Sequence, residues 1–391
     1  MTGETMADEV KRIVVLGSTG SVGTQTLDVV RSLPERFCVV GLSGHSRCKL
    51  LAEQVKEFRP DIVAMTDPDG VDSLCGAVDG VQVVCGAEGL TRLAAWEDAD
   101  IIVCAVSGVA GVPATVAALR SGKVLALANK ESVVMCGDYL NKLARENGGA
   151  ILPVDSEHSA VFQLLQGLPR DSVRRVCITA SGGPFYDRSP AELEAVTPEE
   201  AVSHPNWNMG RKISVDSATM MNKALEVVEA RWLFDLAPDR IDVLIHPQSI
   251  VHGIVELVDG SSLAHMGVPD MRIPIHYALS YPKRAAGGAG RLDLTEAGRL
   301  EFFAPDPEQF PALELGFRVA RTGGTSGAVL NAADEAAVAA FMDGRISFTQ
   351  IVPVVRQVLD RHEVRRAPTL EAAMDADRWA REEAERCLAA L

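Results

Sequence analysis

From Lys11 to about Val154, short apolar runs alternate with longer amphipathic ones. RIVVLGS, FCVVGLS, DIVAM, VQVVCG, DIIVCAVSG and VLALAN are brief, mostly β-branched runs, and they predict strands. TQTLDVVRSL and KLLAEQVKEF instead space their apolar residues as one face of a helix requires. Strands buried on both faces, alternating with helices, predict a doubly wound parallel sheet.

After the stretch ILPVDSEH the texture changes. SVRRVCITASGG, KISVDSAT, VLIHPQSIVHGIVELVDG and SSLAHMGV predict longer, partly antiparallel strands with inserted helices, an α+β region. RAAGGAGRLDL reads as a Gly-rich linker. ALELGFRVAR, AVLNAADEAAVAAFMDG, FTQIVPVVRQVLDRHE and LEAAMDADRWAREEAERCLAAL carry helical periodicity, so a helical bundle domain is expected at the C-terminal end. The expected division is a nucleotide domain over 1–154, a central α+β domain over 155–290, a linker over 291–309 and helices over 310–391.

Composition narrows the function classes. A chain of 391 residues with 47% hydrophobic content can bury a large core. Its net charge of −15 argues against nucleic acid, whose partners carry a basic face. No apolar run approaches the roughly 18 residues of a membrane span. The polar, acidic MTGETMADEVKR has no signal-peptide character. None of the eight cysteines forms a Cys-x-x-Cys pair, which predicts reduced, buried thiols in a cytoplasmic protein.

Four stretches carry candidate chemistry. GSTGSVG, with Gly17, Gly20 and Gly23, follows the first strand and opens a helix, a variant of the dinucleotide fingerprint. Thr19, Gly20, Ser21 and Val22 are placed to line phosphates; a tight turn without ligand is the alternative. The second strand ends without the acid that an NAD ribose wants. Ser46, Arg47 and Lys49 suit a 2′-phosphate and favour NADPH, although a solvated turn reads the same way.

ILPVDSEH ends an apolar strand in Asp155 and Glu157, which strand alternation turns to one side. A cation between them lets the two charges coexist, and oxygen ligands favour Mg²⁺ or Mn²⁺, with Co²⁺ a further candidate. Surface carboxylates are the plain alternative. In DSATMMNKALEVVEARWLF, Asp216 or Ser217 reads as an N-cap, and Asn222, Lys223 and Glu226 share a helix face. From spacing alone the commoner arrangement there is an Asn–Glu hydrogen bond beside a surface lysine. TASGGPF offers Ser181, Gly182 and Gly183 as an anion nest. HPNWNMGRK holds His204, Asn206, Trp207, Asn208 and Gly210 between Pro and Gly; it suits a lid over residues 203–212, or a structural loop anchored by its Trp.

LGSTGSVG, ANKES, LPVDSEH, SGGPF, HPNWNMGRKISVDSATMMNK and IHPQS, in this order and spacing, closely resemble the 1-deoxy-D-xylulose 5-phosphate reductoisomerase family over essentially the whole chain. The resemblance implies NADPH- and metal-dependent isomerisation and reduction of that ketose phosphate to 2-C-methyl-D-erythritol 4-phosphate, in the non-mevalonate isoprenoid pathway. It implies Asp155, Glu157 and Glu226 as metal ligands. Lys130, Ser156, Glu157, Ser181, His204, Trp207, Ser217, Asn222, Lys223 and Glu226 would meet the substrate, with Ser181, Ser217, Asn222 and Lys223 on its phosphate. Thr19, Gly20, Ser21, Val22, Asn129, Glu131 and Gly210 would meet NADPH.

Where family members commonly read Ala-Gly-(Lys, Arg or Ser)-Asn, this chain reads LSGHSRCKL, which puts His45, Ser46 and Arg47 at the adenosine phosphate. The family also implies a V-shaped, three-domain subunit in a homodimer, and a lid carrying Trp207. Lys130, Glu157 and His204 are the candidate catalytic residues, with Lys130 and Glu157 handling protons. The skeleton would rearrange by retro-aldol cleavage and rejoining, or by an α-ketol shift, before reduction. An NADP-dependent dehydrogenase of another small phosphorylated or carboxylated substrate is the rival enzyme; a nucleotide-sensing binding module is the non-catalytic one.

Overall fold

A computed structural model describes residues 10–391, apart from 205, 208, 367 and 368. Pro205 and Asn208 of the expected lid lie outside the described residues. The chain divides into two compact units: 1–129 with 142–154 and 271–289, and 130–141 with 155–270 and 290–391.

In the first unit the short apolar runs are strands: β1 (Lys11–Leu16), β2 (Phe37–Gly44), β3 (Ile62–Met65), β4 (Gln82–Cys85), β5 (Ile101–Cys104), β6 (Val124–Leu127) and β7 (Ala150–Pro153). They form one parallel sheet in the order β4-β3-β2-β1-β5-β6-β7. β3 and β5 are buried at every residue, as a sheet covered on both faces requires. The order reverses beside β1, so ligands have a crevice at that strand's carboxyl end. Helices Ser21–Ser32 and Cys48–Phe58 fall where the periodicity puts them. A later segment returns to this unit: helix Arg272–Ser280 packs beside helix 21–32 and accepts Lys11 Nζ at the Leu279 carbonyl, 3.0 Å away.

The second unit holds a four-stranded sheet in the order β11-β10-β8-β9, from β8 (Val173–Ala180), β9 (Ile241–Ile245), β10 (Val251–Leu257) and β11 (Ser262–Met266). β8 and β9 are parallel and the other pairs antiparallel. The C-terminal region is helical, as its periodicity requires: Ala312–Thr322, Ser326–Met342, Ile351–Arg361 and Leu370–Ala389.

Several local expectations are corrected. KISVDSAT is helical, in Arg211–Ala218, because Ser214, Val215 and Ala218 bury one helical face. Asp216 therefore lies inside that helix and is no N-cap; Met220, at φ 60°, precedes the next helix, Met221–Phe234. That helix is buried nearly all round, so Lys223 is not a surface lysine. β7 stops at Pro153, and helix Ser156–Leu165 follows; the strand-to-helix turn, not strand alternation, brings Asp155 and Glu157 together. Cys38, Cys75 and Cys85 are exposed, so buried thiols describe only Cys104, Cys136, Cys177 and Cys387.

Candidate active site

Nucleotide-type geometry occupies the first βα turn of the first unit. Gly17 sits at φ 78°, and a Cβ there would lie 2.7 Å from the Ala105 carbonyl oxygen. A Cβ on Gly23 would lie 2.1 Å from the Gly17 oxygen, so the helix approaches its own turn too closely for any side chain. Gly20 is the N-cap of helix 21–32 and makes no side-chain cap, which leaves the N-terminal amides available to an anion. Thr19 is buried, Ser21 exposed and Val22 half-buried.

The exposed Arg47 donates from its guanidinium to the Thr19 carbonyl at 3.0 Å and so ties the second βα turn to the first. Ser46 and Lys49 are exposed, and His45 Nδ1 is 3.0 Å from Thr66 Oγ1. Asn129 is buried and donates to the carbonyls of Val106 and Gly108, at 2.8 and 3.0 Å.

The acidic centre belongs to the second unit. Ligand oxygens of Asp155, Glu157 and Glu226 all lie within 4.8 Å of one another. Asp155 and Glu157 come from the turn after β7, and Glu226 from the second turn of helix 221–234. Two ammonium groups bridge them. Lys130 Nζ is 2.8 Å from Asp155 Oδ2, 3.2 Å from Glu226 Oε1 and 2.7 Å from Asn222 Oδ1. Lys223 Nζ is 3.0 Å from Glu157 Oε1 and also bonds Glu226 Oε2. Asn222 does donate to Glu226, at 2.6 Å, so the expected i,i+4 bond exists, inside the centre. Ser156 Oγ donates to Glu157 at 2.5 Å.

This crowding moves protons. Burial, with Glu226 and Asp155 alongside, pushes Glu157 up to about 7 despite Lys223. Burial also works against ionised Asp155, but Lys130 and His158 outweigh it and hold that carboxyl well below the usual range. Burial would neutralise Lys130 and Lys223; the surrounding acids reverse the balance and keep both ammoniums charged.

Two residues of this centre were not assigned from sequence. His158 is fully buried; Nε2 donates to the Glu226 carbonyl at 3.0 Å, and Nδ1 faces Asp155 at 3.1 Å and Glu229 at 3.5 Å. Burial opposes its charge, yet Glu229 and Asp155 raise it to about 9, so it is an imidazolium holding Asp155 in place. The i,i+3 spacings Asp155–His158 and Glu226–Glu229 were the available signal.

Around β8's end, Gly182 and Gly183 both have positive φ, 81° and 70°, a left-handed turn that favours glycine but lacks the alternating hand of the expected anion nest. His204 Nδ1 accepts the backbone N–H groups of Asn206 and Trp207, at 3.1 and 3.0 Å, so its proton sits on Nε2 and goes to Ser181 Oγ, 2.8 Å away. Burial lowers His204 to about 4, consistent with a neutral ring. Ser181 Oγ also accepts from Gly183 N at 3.1 Å, which leaves its own O–H to donate to an anion.

The half-buried Ser217 sits one residue from the end of helix 211–218, and a Cβ on Gly183 would lie 2.7 Å from its carbonyl oxygen. Trp207 is half-buried, its ring 6.4 Å from that of His252, and Asn206 bonds the Pro247 carbonyl at 2.6 Å. Gly210 has φ −62° and open space at its Cβ direction, so the backbone does not demand glycine there. Glu131 is half-buried in the first turn of helix Lys130–Asn147.

A doubly wound nucleotide-type unit and a buried, all-oxygen carboxylate centre suited to a divalent cation define the class: a nucleotide-linked enzyme acting on a polar substrate. Family models match in three places: "1-deoxy-D-xylulose 5-phosphate reductoisomerase" over residues 13–137, its "C-terminal domain" over 151–234, and "DXP reductoisomerase C-terminal domain" over 266–383. The chain is 53% identical over 371 residues to the 1-deoxy-D-xylulose 5-phosphate reductoisomerase of Thermomicrobium roseum, covering 94% of this chain and 95% of the relative. It is similar to the Zymomonas mobilis enzyme solved in complex with NADPH, with TM-score 0.92, 43% identity, and 98% and 100% of the two chains covered. A further solved reductoisomerase, in complex with NADPH, fosmidomycin and magnesium, matches with TM-score 0.91 and 40% identity over 97% and 98% of the chains. The chain belongs to the 1-deoxy-D-xylulose 5-phosphate reductoisomerase family.

Proposed function

We infer that the chain isomerises and reduces 1-deoxy-D-xylulose 5-phosphate to 2-C-methyl-D-erythritol 4-phosphate, using NADPH and a divalent cation. The observation that carries this reading is the convergence of Asp155, Glu157 and Glu226 oxygens within 4.8 Å, bridged by two lysines. The donor set is all carboxylate oxygen, which fits Mg²⁺ or Mn²⁺. Bound there, the cation would supply Lewis-acid stabilisation of charge developing on the substrate's C2 and C3 oxygens.

The protein's own part follows from its charges. Lys130 and Lys223 hold the three carboxylates together, and would be free to face a substrate were a cation to take over those carboxylates. Lys223, Asn222, Ser217 and the free O–H of Ser181 then form the phosphate clamp, which supplies binding energy remote from the reacting carbons. Lys130 and Glu157 handle protons at the C3 and C4 oxygens. His204 keeps Ser181 oriented as it contacts the substrate, and Trp207 shields it from water. Thr19, Gly20, Ser21, Val22, Ser46, Arg47, Asn129, Glu131 and Gly210 are the proposed NADPH contacts, which supply the hydride donor.

The division into 1–154, 155–290, 291–309 and 310–391 is the functional partition we adopt, in a cytoplasmic homodimer. The exposed edge strand β11, with Leu263 38% and Met266 43% accessible, supports a second copy pairing there; light scattering that finds only monomer would end that part.

The decisive assay follows NADPH absorbance with the ketose phosphate and Mn²⁺, with and without EDTA, and identifies the product. Chelator-sensitive oxidation giving a branched carbon skeleton is expected. Oxidation with an unbranched product would favour the simple dehydrogenase, and none at all the binding module. Lys130→Ala with near-native turnover, its metal and phosphate binding intact, would remove Lys130 from proton transfer.

A further inference from the structure

Helix Arg211–Ala218 carries Ser217 but cannot hold itself in place. It has eight residues, no side-chain cap at Gly210 and no acid in its first turn, so its position must come from tertiary contacts. One of these is charged and buried. Lys212 Nζ lies 2.6 Å from Asp216 Oδ2, one turn on, and 2.6 Å from Asp334 Oδ2 on helix Ser326–Met342. Side-chain exposure is 3% for Asp216 and 0% for Asp334, so the exposed-pair value of about 0–1 kcal/mol does not apply.

We propose that Asp334, acting through Asp216 and Lys212, is a positioning residue for the phosphate clamp, so that the C-terminal helices set affinity for the ketose phosphate without touching it. The chain of contacts is short. Asp216 precedes Ser217, and the Ser217 carbonyl abuts Gly183 so closely that a Cβ there would come within 2.7 Å. A displaced helix 211–218 therefore moves both Ser217 and the Gly182–Gly183 turn, whose Gly183 N–H bonds Ser181 Oγ.

The cluster holds two carboxyls for one ammonium. Asp216 Oδ1 and both Asp334 oxygens receive no hydrogen bond from a described residue, so Lys212 holds Asp334 as an ion pair. Burial pushes both acids up, Asp216 furthest, with Asp334 adding to it at Asp216 and Glu335 at Asp334, while Lys212, 2.6 Å from one oxygen of each, works the other way. An asparagine at 334 keeps the size and shape of the aspartate, with a carbonyl to face Lys212 and an amide donor beside it.

The inference rests on Ser217 contacting the substrate phosphate, so the experiment tests that separately. Steady-state constants and inhibition by inorganic phosphate are measured for Asp334→Ala, Asp334→Asn, Lys212→Met and Ser217→Ala. Asp334→Ala and Lys212→Met should raise KM for the ketose phosphate about tenfold and weaken phosphate inhibition in parallel, with KM for NADPH within about twofold. Asp334→Asn should restore near-native values, which a merely bulk-stabilising role would not require. Wild-type KM and phosphate inhibition in folded Asp334→Ala or Lys212→Met would overturn the proposal, as would an Asp334→Asn no better than Asp334→Ala. Should Asp334→Ala not fold, Lys212→Met and Asp334→Asn decide. If Ser217→Ala alone leaves KM and phosphate inhibition unchanged, the clamp reading fails instead.

Discussion

Two of the buried carboxylate clusters among the described residues of the second unit differ in what can reach them. At Asp155, Glu157, Glu226 and Glu229, three cationic groups, Lys130, Lys223 and His158, face four acids. Asp155 and Glu157 keep 11% and 18% side-chain exposure, so their oxygens can be reached. At Lys212, Asp216 and Asp334 the acids are sealed, with side-chain exposures of 3% and 0%. Each cluster holds one more acid than cationic groups, but only the first keeps carboxylate oxygens that an incoming cation can reach. Burial of acids alone does not mark a binding centre. A deficit of cations at oxygens that solvent can still reach does.

Glu226 is the sharpest place to break the contrast, since both bridging lysines meet on its two oxygens. Glu226→Gln should lower kcat/KM on the order of 10³-fold while the fold persists. Activity within tenfold of wild type would mean that the cluster is structural, like the other. Next in size is Lys223→Met, which leaves Glu157 and Glu226 without their shared ammonium. Chelated protein should lose about 3–5 kcal/mol of unfolding free energy, as a buried charge stripped of its partner does. Added Mg²⁺ should recover much of that loss, because a cation replaces the ammonium. Denaturant melts with and without EDTA check this; equal losses in both would contradict the cation-deficit account.

A third difference concerns wild-type protein. Divalent cation at a hundred times its Kd should stabilise the fold by about 2.7 kcal/mol. Asp334→Asn should keep that thermal shift and Glu226→Gln should abolish it. A shift that survives Glu226→Gln, as seen by calorimetry, would place the cation elsewhere.

How much of this could be read from sequence follows the range of the interactions. The parallel sheet and the Gly17–Gly23 turn were legible because both rest on local pattern: buried β-branched runs, and glycines where a Cβ would collide. KISVDSAT misled because Ile213 and Val215 alternate as in a strand, while helical burial of Ser214, Val215 and Ala218 against the rest of the unit decides its form. Lys223 misled for a related reason. Its spacing fits an exposed helix face, and only tertiary packing shows that helix 221–234 has almost no exposed face. Asp155, Glu157 and Glu226 were assembled from family resemblance, since no local rule joins residues 155 and 226. Asp334 and Glu229 escaped because their charged partners are distant in the chain, and His158 because its i,i+3 spacing to Asp155 carries no meaning until burial is known.

The smallest expected effect is a pH dependence that separates the clusters through one titration. Glu157, with an ordinary value of 4.5, is raised to about 7 in the metal-free fold. Its proton is therefore bound more tightly folded than unfolded, so its contribution to stability falls as pH rises from about 4.5 through about 7. Asp155 runs the other way: held low, it stabilises the fold above its ordinary 3.8 and loses that only as pH falls below it. A cation at Glu157 must displace the proton, so apparent affinity should drop by up to about tenfold per pH unit below 7 and level off above it. Glu229, also raised to about 7, could imitate this from behind His158. The measurement is therefore Mg²⁺ binding by calorimetry between pH 5 and 8 in wild type and Glu229→Gln. A slope that persists in Glu229→Gln assigns the proton to Glu157 and to the open cluster. A slope that disappears there moves it to the His158–Glu229 side, and affinity independent of pH in both proteins would mean that Glu157 enters the metal-free centre already ionised.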